Sequence, residues 1–428
     1  MKKFILQVIQ AVLKTLAQWT IGKYKPGIIG VTGSVGKTGT KEAIYTVLRN
    51  IRKARMSRGN FNSEIGLPLT ILGDWPDTNL HLLSREAPPG KNKFRKALFI
   101  LKVILTSAAK LAFGSRSAYP EILVLEYGAD KPGDMEKLLD IAKPQMSVIT
   151  AIGTVPVHVE FYSGPHAVAR EKCRLIEHLP SHGFAIVNGD DETVFALKDK
   201  TRAHVITFGF NEGVELRITN FENRIENGLP KGISFKLNYG GSFVPVRIDG
   251  CFGKPSAYAA AAAASVGIVF GIHLVRISEA LIYYEGPPHR MKLIPGIKNT
   301  LIIDDSYNAS PLSMESAIET VRSLAAARKV GILGDMLEIG KYSIQAHEEV
   351  GKLAAKVFDV LLTVGPRGKF IADAAKQAGL SRRNIVSVDN ADEAILPLED
   401  LLKKGDLVLI KGSHAMHLEK IAREIRQL

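Results

Sequence analysis

The chain has 428 residues, too many for one ordinary core, and its 46% hydrophobic and 23% charged residues describe a folded chain of two or three domains rather than a disordered or fibrous one. A formal charge of +13 favours an anionic partner, a phosphorylated metabolite, a nucleic acid or an acidic membrane surface; with 7% aromatics and no basic stretch interleaved with stacking residues, nucleic acid is disfavoured. The two cysteines, Cys173 and Cys251, fit neither a metal-ligand spacing nor a disulfide framework, which points to a reducing cytoplasm.

Residues 1–25 predict an amphipathic helix. Phe4, Ile5, Val8, Ile9, Val12, Leu13 and Leu16 fall on one face, with Lys2, Lys3, Gln7, Gln10 and Lys14 on the rest. The compact apolar core and small-residue cleavage site of a signal peptide are not seen, so none is expected.

The next segment, Ile28-Ile29-Gly30-Val31-Thr32-Gly33-Ser34-Val35-Gly36-Lys37-Thr38, is an apolar run breaking into a Gly-rich turn that ends in Lys-Thr. This is the pattern of a phosphate-binding loop. Backbone N–H groups of Gly33, Ser34, Val35 and Gly36 can crowd round phosphate oxygens, Lys37 can reach the β/γ-phosphates, and the Thr38 hydroxyl can ligate Mg²⁺ at a helix N-terminus. Ile44, Val47, Leu48 and Ile51 then recur at helical spacing, completing a strand–loop–helix context. The strict motif asks for glycine where Val31 stands, and by itself the loop names no reaction.

Residues 91–116 set Phe94, Leu98, Phe99, Ile100, Leu101, Val103, Ile104 and Leu105 among Lys93, Arg95, Lys96, Lys102 and Lys110. The apolar runs fall short of the ~20 residues of a transmembrane helix. This segment and the N-terminal helix either lie on an anionic membrane surface or pack on the globular body or on each other. Packing is the preferred reading, because amphipathic helices mostly face a core.

Apolar strands at 28–32, 122–125, 147–152 and 184–188 alternate with helical stretches, which implies a mostly parallel sheet covered by helices. From 205 to 248, short alternating strands with Gly, Asn and Pro turns predict a small antiparallel annex. An alanine-rich helix at 257–269 and a shorter one ending by Tyr284 follow, and Gly286-Pro287-Pro288 forms an extended break, a candidate hinge. Strands at 301–303, 330–333, 360–364, 385–388 and 407–410 then predict a second doubly wound domain without a phosphate loop.

Four places in the chain bear on the chemistry. Glu126 ends an apolar strand and is either a Mg²⁺ ligand at the tip of a parallel sheet or a surface salt-bridge partner. His158, with Glu160 two residues on, lies past the next strand and is either structural or part of the site. Lys172, in a charged helix start, has no special status by sequence alone. The loop Asp304-Asp305-Ser306-Tyr307-Asn308-Ala309-Ser310-Pro311 either hydrogen-bonds a ribose or phosphate or is an ordinary cap by Ser310 or Ser313.

Taken together, these segments resemble the Mur ligase family, ATP-dependent amide-forming enzymes of peptidoglycan precursor synthesis. Within it they are most similar to the branch that adds D-alanyl-D-alanine to UDP-N-acetylmuramoyl-tripeptide. Besides the Gly30–Thr38 loop, the marks are Gly59-Asn60-Phe61-Asn62-Ser63-Glu64-Ile65-Gly66-Leu67-Pro68, Leu125-Glu126-Tyr127-Gly128-Ala129, the loop 304–311, Gly334-Asp335-Met336-Leu337-Glu338-Ile339-Gly340 and Lys411-Gly412-Ser413, in family order. The resemblance implies an α/β fold: a P-loop-type, mostly parallel central sheet domain with a small antiparallel annex, followed by a Rossmann-like C-terminal α/β domain. The expected divisions are an N-terminal helix at 1–25, a central domain at 26–286 with an insertion at about 87–118, and a C-terminal domain at 287–428.

What the resemblance implies for function can be set on individual residues. Lys37 and Thr38 would hold the ATP phosphates and a first Mg²⁺, while Glu126, His158 and Lys172 would hold a second, with Lys172 carbamoylated so that an anionic oxygen replaces a repelling ammonium. Arg290 would touch phosphate, Asp305 the ribose, and Asn308 would lie near the nucleotide; movement at the hinge would complete the site. Asn60, Asn62 and Ser413 would line the substrate region. The substrate carboxylate would take the γ-phosphate of ATP, and the incoming amine would displace phosphate from the acyl phosphate.

This chain departs from the family in several places. Ala151 stands where asparagine is usual, the turn before His158 is two residues longer, and Pro255-Ser256 replaces the His-Asn or His-Gln ahead of the alanine-rich helix. The family's N-terminal UDP-binding domain has no counterpart in residues 1–25. The expected partners are therefore a nucleotide-sugar peptide and D-alanyl-D-alanine, with no nucleic acid, and a cytoplasmic place that allows peripheral membrane contact through 1–20 and 91–116. A related ligase for another peptide or polyglutamate-like substrate, and a membrane-attached nucleotide-binding scaffold without ligase activity, remain as alternatives.

Overall fold

The computed structural model describes residues 2–83 and 92–427; Met1, residues 84–91 and Leu428 lie outside the described residues, as do the side chains of Lys2 and Lys3. Lys91 and the first part of the expected insertion at 87–118 therefore fall outside them. The chain divides into two compact units, one of Met1–Ala151, Ala169–Leu216 and Ala262–His273, the other of Ile152–Val168, Arg217–Ala261 and Leu274–Leu428.

In the first unit, β1 (Gly27–Thr32), β2 (Ala54–Met56), β3 (Ile122–Glu126), β4 (Met146–Ile149), β5 (Phe184–Asn188) and β6 (His204–Gly209) lie in the order β2-β3-β1-β4-β5-β6. Each neighbouring pair is parallel. β3 and β4 are buried at every residue, which explains why they read as unbroken apolar runs. The antiparallel annex expected from 205 begins later, because His204–Gly209 pairs in parallel with β5. The connection between them carries a helical turn and is long enough for the crossover of about a dozen residues that parallel pairing requires.

The helices up to this point are α1 (Lys2–Tyr24), α2 (Lys37–Leu48), α3 (Gly66–Leu72), α4 (Asp77–His81), α5 (Lys93–Phe113), α6 (Asp134–Ile141), α7 (Pro165–Glu177) and α8 (Glu192–Phe195). α1 and α5 pack on the body, as preferred from sequence: Leu13 and Leu16 meet Leu69, Trp75, Phe99 and Val103 in one cluster. Farther along α1, Ala17 and Tyr24 join Ile28, Leu123 and Leu138 in another. Tyr24 stacks on Tyr119 with ring centroids 4.4 Å apart, which anchors the C-terminal end of α1.

In the second unit, β7 (Leu216–Glu226), β8 (Leu229–Tyr239) and β9 (Ser242–Asp249) form the antiparallel meander. Burial alternates along β9, as expected of a sheet with one wet face. α9 (Gly253–Val269) starts before the expected Ala257, since Pro255 fits the first helical turn, where its missing N–H costs nothing. α10 (Leu274–Leu281) follows.

The second sheet contains β10 (Lys292–Pro295), β11 (Leu301–Asp305), β12 (Lys329–Gly334), β13 (Val360–Val364), β14 (Ile385–Val388) and β15 (Leu407–Lys411), in the order β10-β11-β15-β12-β13-β14. Only β10, at the edge, is antiparallel among these pairs. Successive residues of one strand enter two different cores: Ile303, Leu333, Leu361 and Leu409 pack on one face, Ile302, Ile332, Leu362 and Val408 on the other. The first core holds Met314, Val321 and Val350 from α11 (Pro311–Ser323) and α12 (Ser343–Ala354), and Ile371 from α13 (Gly368–Gln377). The second holds Leu398 and Ile421 from α14 (Ala391–Leu401) and α15 (Glu419–Glu424). This is a doubly wound α/β layer arrangement.

Candidate active site

The turn between β1 and α2 closes on the end of β4. Ser34 and Val35 donate their N–H groups to the Ala151 carbonyl at 2.7 and 3.1 Å. Thr150 Oγ1 donates to the Thr32 and Val35 carbonyls at 3.2 and 2.6 Å. Gly33 has φ +150°, and a Cβ there would overlap Thr150 Oγ1, so only glycine fits the bend. Lys37 Nζ donates to the Gly33 carbonyl at 2.7 Å, folding its ammonium back over the loop.

Glu126, at the tip of β3, faces this loop and is buried. Thr38 Oγ1 donates to its Oε2 at 3.1 Å, and Asn62 Nδ2 to its Oε1 at 3.0 Å. Lys41 Nζ lies 3.4 Å from Oε2 and donates to the Gly59 carbonyl at 2.9 Å. The Gly59–Pro68 and Glu126 motifs, far apart in sequence, are thus tied together, with the Gly128 N–H donating to the Asn62 carbonyl at 3.0 Å.

Lys172, on α7, is buried, and its amine donates to the Ala129 carbonyl at 3.3 Å. Burial first, and the Lys37 charge second, push its amine down to about 7. A large neutral fraction at neutral pH follows, and the neutral amine is the form that adds to CO₂. No group of three or more His, Cys, Asp or Glu side chains suited to a metal occurs among the described residues. The Thr38 hydroxyl and Glu126 carboxylate are hard oxygen donors and fit Mg²⁺.

His158 belongs to the second unit. Its backbone is left-handed, with φ +69°, and its Nδ1 lies 2.8 Å from Glu338 Oε2. Glu160 N–H points at the Glu338 carbonyl at 3.5 Å, and a Cβ on Gly340 would press on Glu160, so the His158 and 334–340 loops pack together. His347 orders the second loop, as its Nε2 accepts from Met336 N–H at 2.9 Å while its Nδ1 lies 2.6 Å from the Ser343 carbonyl. Ser413 is tied to the same loop, accepting from Leu337 N–H at 2.8 Å.

The loop after β11 is built around two carboxylates. Asp305 is buried and pairs with Lys411 at 2.6 Å; its Oδ1 accepts from Met291 N–H at 3.1 Å. Lys411 also donates to the Asn308 carbonyl at 2.9 Å. Burial raises the Asp305 carboxyl above its ordinary range, against the pull of Lys411. Asp304 is pushed up by burial but held below the usual range overall by His289, 2.7 Å away, and Ser306. Arg290 lies over the Tyr307 ring, 4.2 Å from its centroid. Ser310 and Ser313 form a capping box on α11, so the capping role weighed from sequence is present in this loop.

Sequence reasoning did not single out Lys41, Lys411, His289, Glu338 or His347 as site residues. Lys41 lies three residues after Thr38 on the same helix face, a spacing that could have flagged it. The others become visible only through partners on distant elements.

A glycine turn at the end of a parallel strand, a Lys-Thr helix start and a buried carboxylate on the neighbouring strand define a phosphate-binding-loop α/β protein. Residues 106–266 match the Mur ligase middle domain and residues 289–414 the Mur ligase glutamate ligase domain, together two thirds of the chain. The chain belongs to the Mur ligase family.

It is 28% identical over 418 residues to the UDP-N-acetylmuramoyl-tripeptide--D-alanyl-D-alanine ligase of Bacillus subtilis, covering 96% of this chain and 79% of that protein. The MurF ligase of Thermotoga maritima, solved in complex with ADP, superposes with a TM-score of 0.76 at 26% identity, over 97% of this chain and 83% of that one. MurF of Acinetobacter baumannii gives a TM-score of 0.76 at 24% identity, over 97% and 80%, a likeness of fold.

Proposed function

We propose that this chain is an ATP-dependent, ADP-forming ligase of peptidoglycan precursor synthesis, joining D-alanyl-D-alanine to UDP-N-acetylmuramoyl-tripeptide. The observation that carries this reading is the set of contacts between Thr38, Asn62, Lys41 and Glu126 beside the Gly33–Lys37 turn, in a chain similar along nearly its whole length to ligases of that name. The reaction is assigned to the cytoplasm. The division into a central domain at 26–286 and a C-terminal domain at 287–428 is supported by the ranges of the two family matches.

The backbone N–H groups of residues 33–36 and the Lys37 ammonium hold the ATP phosphates. Thr38 is assigned a Mg²⁺ ligand, and Glu126 and Lys172, the latter as its carbamate, a second; His158, held by Glu338, is kept as a further candidate ligand. Mg²⁺ supplies charge neutralisation between the substrate carboxylate and the triphosphate. Arg290, Asp305 and Asn308 are assigned to the nucleotide's phosphate and ribose, and Asn60, Asn62 and Ser413 to the substrate.

The carboxylate oxygen attacks the γ-phosphorus and ADP leaves, giving an acyl phosphate. The amine of D-alanyl-D-alanine then attacks the acyl carbon, an amide bond forms, and phosphate departs as the amine loses its proton. Lys37 opposes the charge gathered on the transferred phosphoryl group, so its contribution is electrostatic and positional.

The test is phosphate release by purified protein with ATP and Mg²⁺. Release only when both UDP-muramoyl-tripeptide and D-alanyl-D-alanine are present supports the assignment. Release with another acceptor pair, such as a polyglutamate-like substrate, replaces it, and the absence of turnover with every pair returns the chain to a nucleotide-binding scaffold.

A further inference from the structure

α1 and α5 each carry two apolar faces, and among the described residues only one of each is buried. In α1, Leu13, Leu16, Ala17 and Tyr24 are buried, whereas Phe4, Ile5, Val8, Val12 and Trp19 are 36% exposed or more. At 3.6 residues per turn these five form a stripe beside the buried one. In α5, Phe99, Ile100 and Val103 are buried. Phe94, Leu98, Leu101 and Leu105, spaced i, i+4, i+7 and i+11, line a second stripe and are 50% exposed or more. A surface helix ordinarily turns polar groups to water, and contiguous exposed apolar side chains mark an interaction surface.

The charge around the stripes selects the partner. α1 and α5 contain nine Lys or Arg and no Asp or Glu. Lys93, Arg95 and Lys102 are exposed along α5, and Lys96 is half-buried. A nucleic acid would use the cations but leave the leucines in water, and an apolar protein groove would strand the cations. An anionic bilayer satisfies both, with acyl chains for Leu and Phe and headgroups for the lysines, whose long stems let the ammonium reach outward.

α1 from Phe4 to Tyr24 is also long and apolar enough to cross a bilayer. Crossing would strip Leu13 and Leu16 from Leu69, Trp75 and Phe99. It would also break Gln18 from the Asp140 carbonyl at 2.6 Å and Tyr24 from the Lys110 carbonyl at 2.6 Å. A helix held from Leu13 to Tyr24 can lie on a membrane without leaving the fold.

We infer that α1 and α5 form a peripheral docking surface for an anionic lipid bilayer, in which the Phe4–Trp19 and Phe94–Leu105 stripes enter the acyl boundary and the flanking cations meet the headgroups. This surface stands apart from the ligase reading, and its test does not require turnover.

The full chain is sedimented with vesicles of phosphatidylcholine alone or with phosphatidylglycerol added, and its tryptophan emission is recorded. Binding to the anionic vesicles is expected to be roughly tenfold tighter or more, and weaker at high salt. Trp19, 63% exposed, is expected to shift its emission to the blue, against the constant signal of Trp75, already 7% exposed. The triple variant L98Q/L101Q/L105Q, shown to melt like the parent, is expected to bind about tenfold more weakly. The inference is overturned if the triple variant binds equally well, if Trp19 does not shift, or if the parent ignores vesicles and the variant instead loses self-association in analytical ultracentrifugation.

Discussion

Lys41 and Glu126 form a buried ion pair, Nζ to Oε2 at 3.4 Å, one helical turn beyond Lys37. Removing one partner of such a pair leaves an uncompensated charge in a low-dielectric site. Lys41→Met is therefore expected to destabilise the chain by about 3–5 kcal/mol in urea unfolding. The double variant with Glu126→Gln should recover part of that loss, because the orphaned charge is gone. A loss below about 1 kcal/mol in the single variant would contradict the pairing.

Lys172 gives a pH dependence whose sign can be worked out. Its folded value is about 7, set by burial and then Lys37, against an unfolded value of about 10.4. Between those limits the unfolded chain binds more protons, so this group makes stability rise as pH climbs from about 7 towards 10. Addition of CO₂ to the neutral amine should grow across the same lower limit. Activation by bicarbonate is expected to increase above pH 7, with a carbamate signal in ¹³C NMR, and Lys172→Arg should abolish both while lowering turnover roughly a hundredfold. A bicarbonate response that persists in the arginine variant would remove Lys172 from the mechanism.

The bend at Gly33 has no room for a side chain. Thr150 Oγ1 cannot move aside without losing its bonds to the Thr32 and Val35 carbonyls. Gly33→Ala is expected to cost about 1–3 kcal/mol of stability and to weaken nucleotide binding roughly tenfold or more, read by calorimetry with ADP. Gly22→Ala is the contrast. Gly22 lies in α1 with nothing within 4 Å of a new Cβ, so this change should add up to about 1 kcal/mol.

His289 is held by Asp304 at 2.7 Å, a hydrogen bond that raises the imidazole above its ordinary value. A raised histidine contributes stability that is fully present below the unfolded value of about 6.5 and is lost as pH rises through the folded one. Titration by NMR is expected to show His289 above 6.5, and Asp304→Asn should bring it back towards that value. An unchanged titration in the variant would show that Asp304 is not the cause.

The reach of sequence reasoning divides along local and non-local lines. The Gly30–Thr38 turn, the capping Ser310 and the buried strands of both sheets are written in short stretches, because turn chemistry and side-chain period act within a few residues. The reassignment of His204–Gly209 to the parallel sheet also has a local cue in its long connection, but the partner strand is chosen by packing.

The amino-acid order alone settled that this is an α/β chain with a glycine-rich strand-to-helix turn, since glycine freedom and apolar periodicity are properties of the segment itself. Only tertiary structure decided that Lys41 neutralises Glu126, that Lys411 neutralises Asp305, and that Leu13 turns inward on α1 while Val12 stays outside. Charge pairing and burial depend on what the rest of the fold carries to within a few ångströms, and no residue specifies that by its own place in the chain.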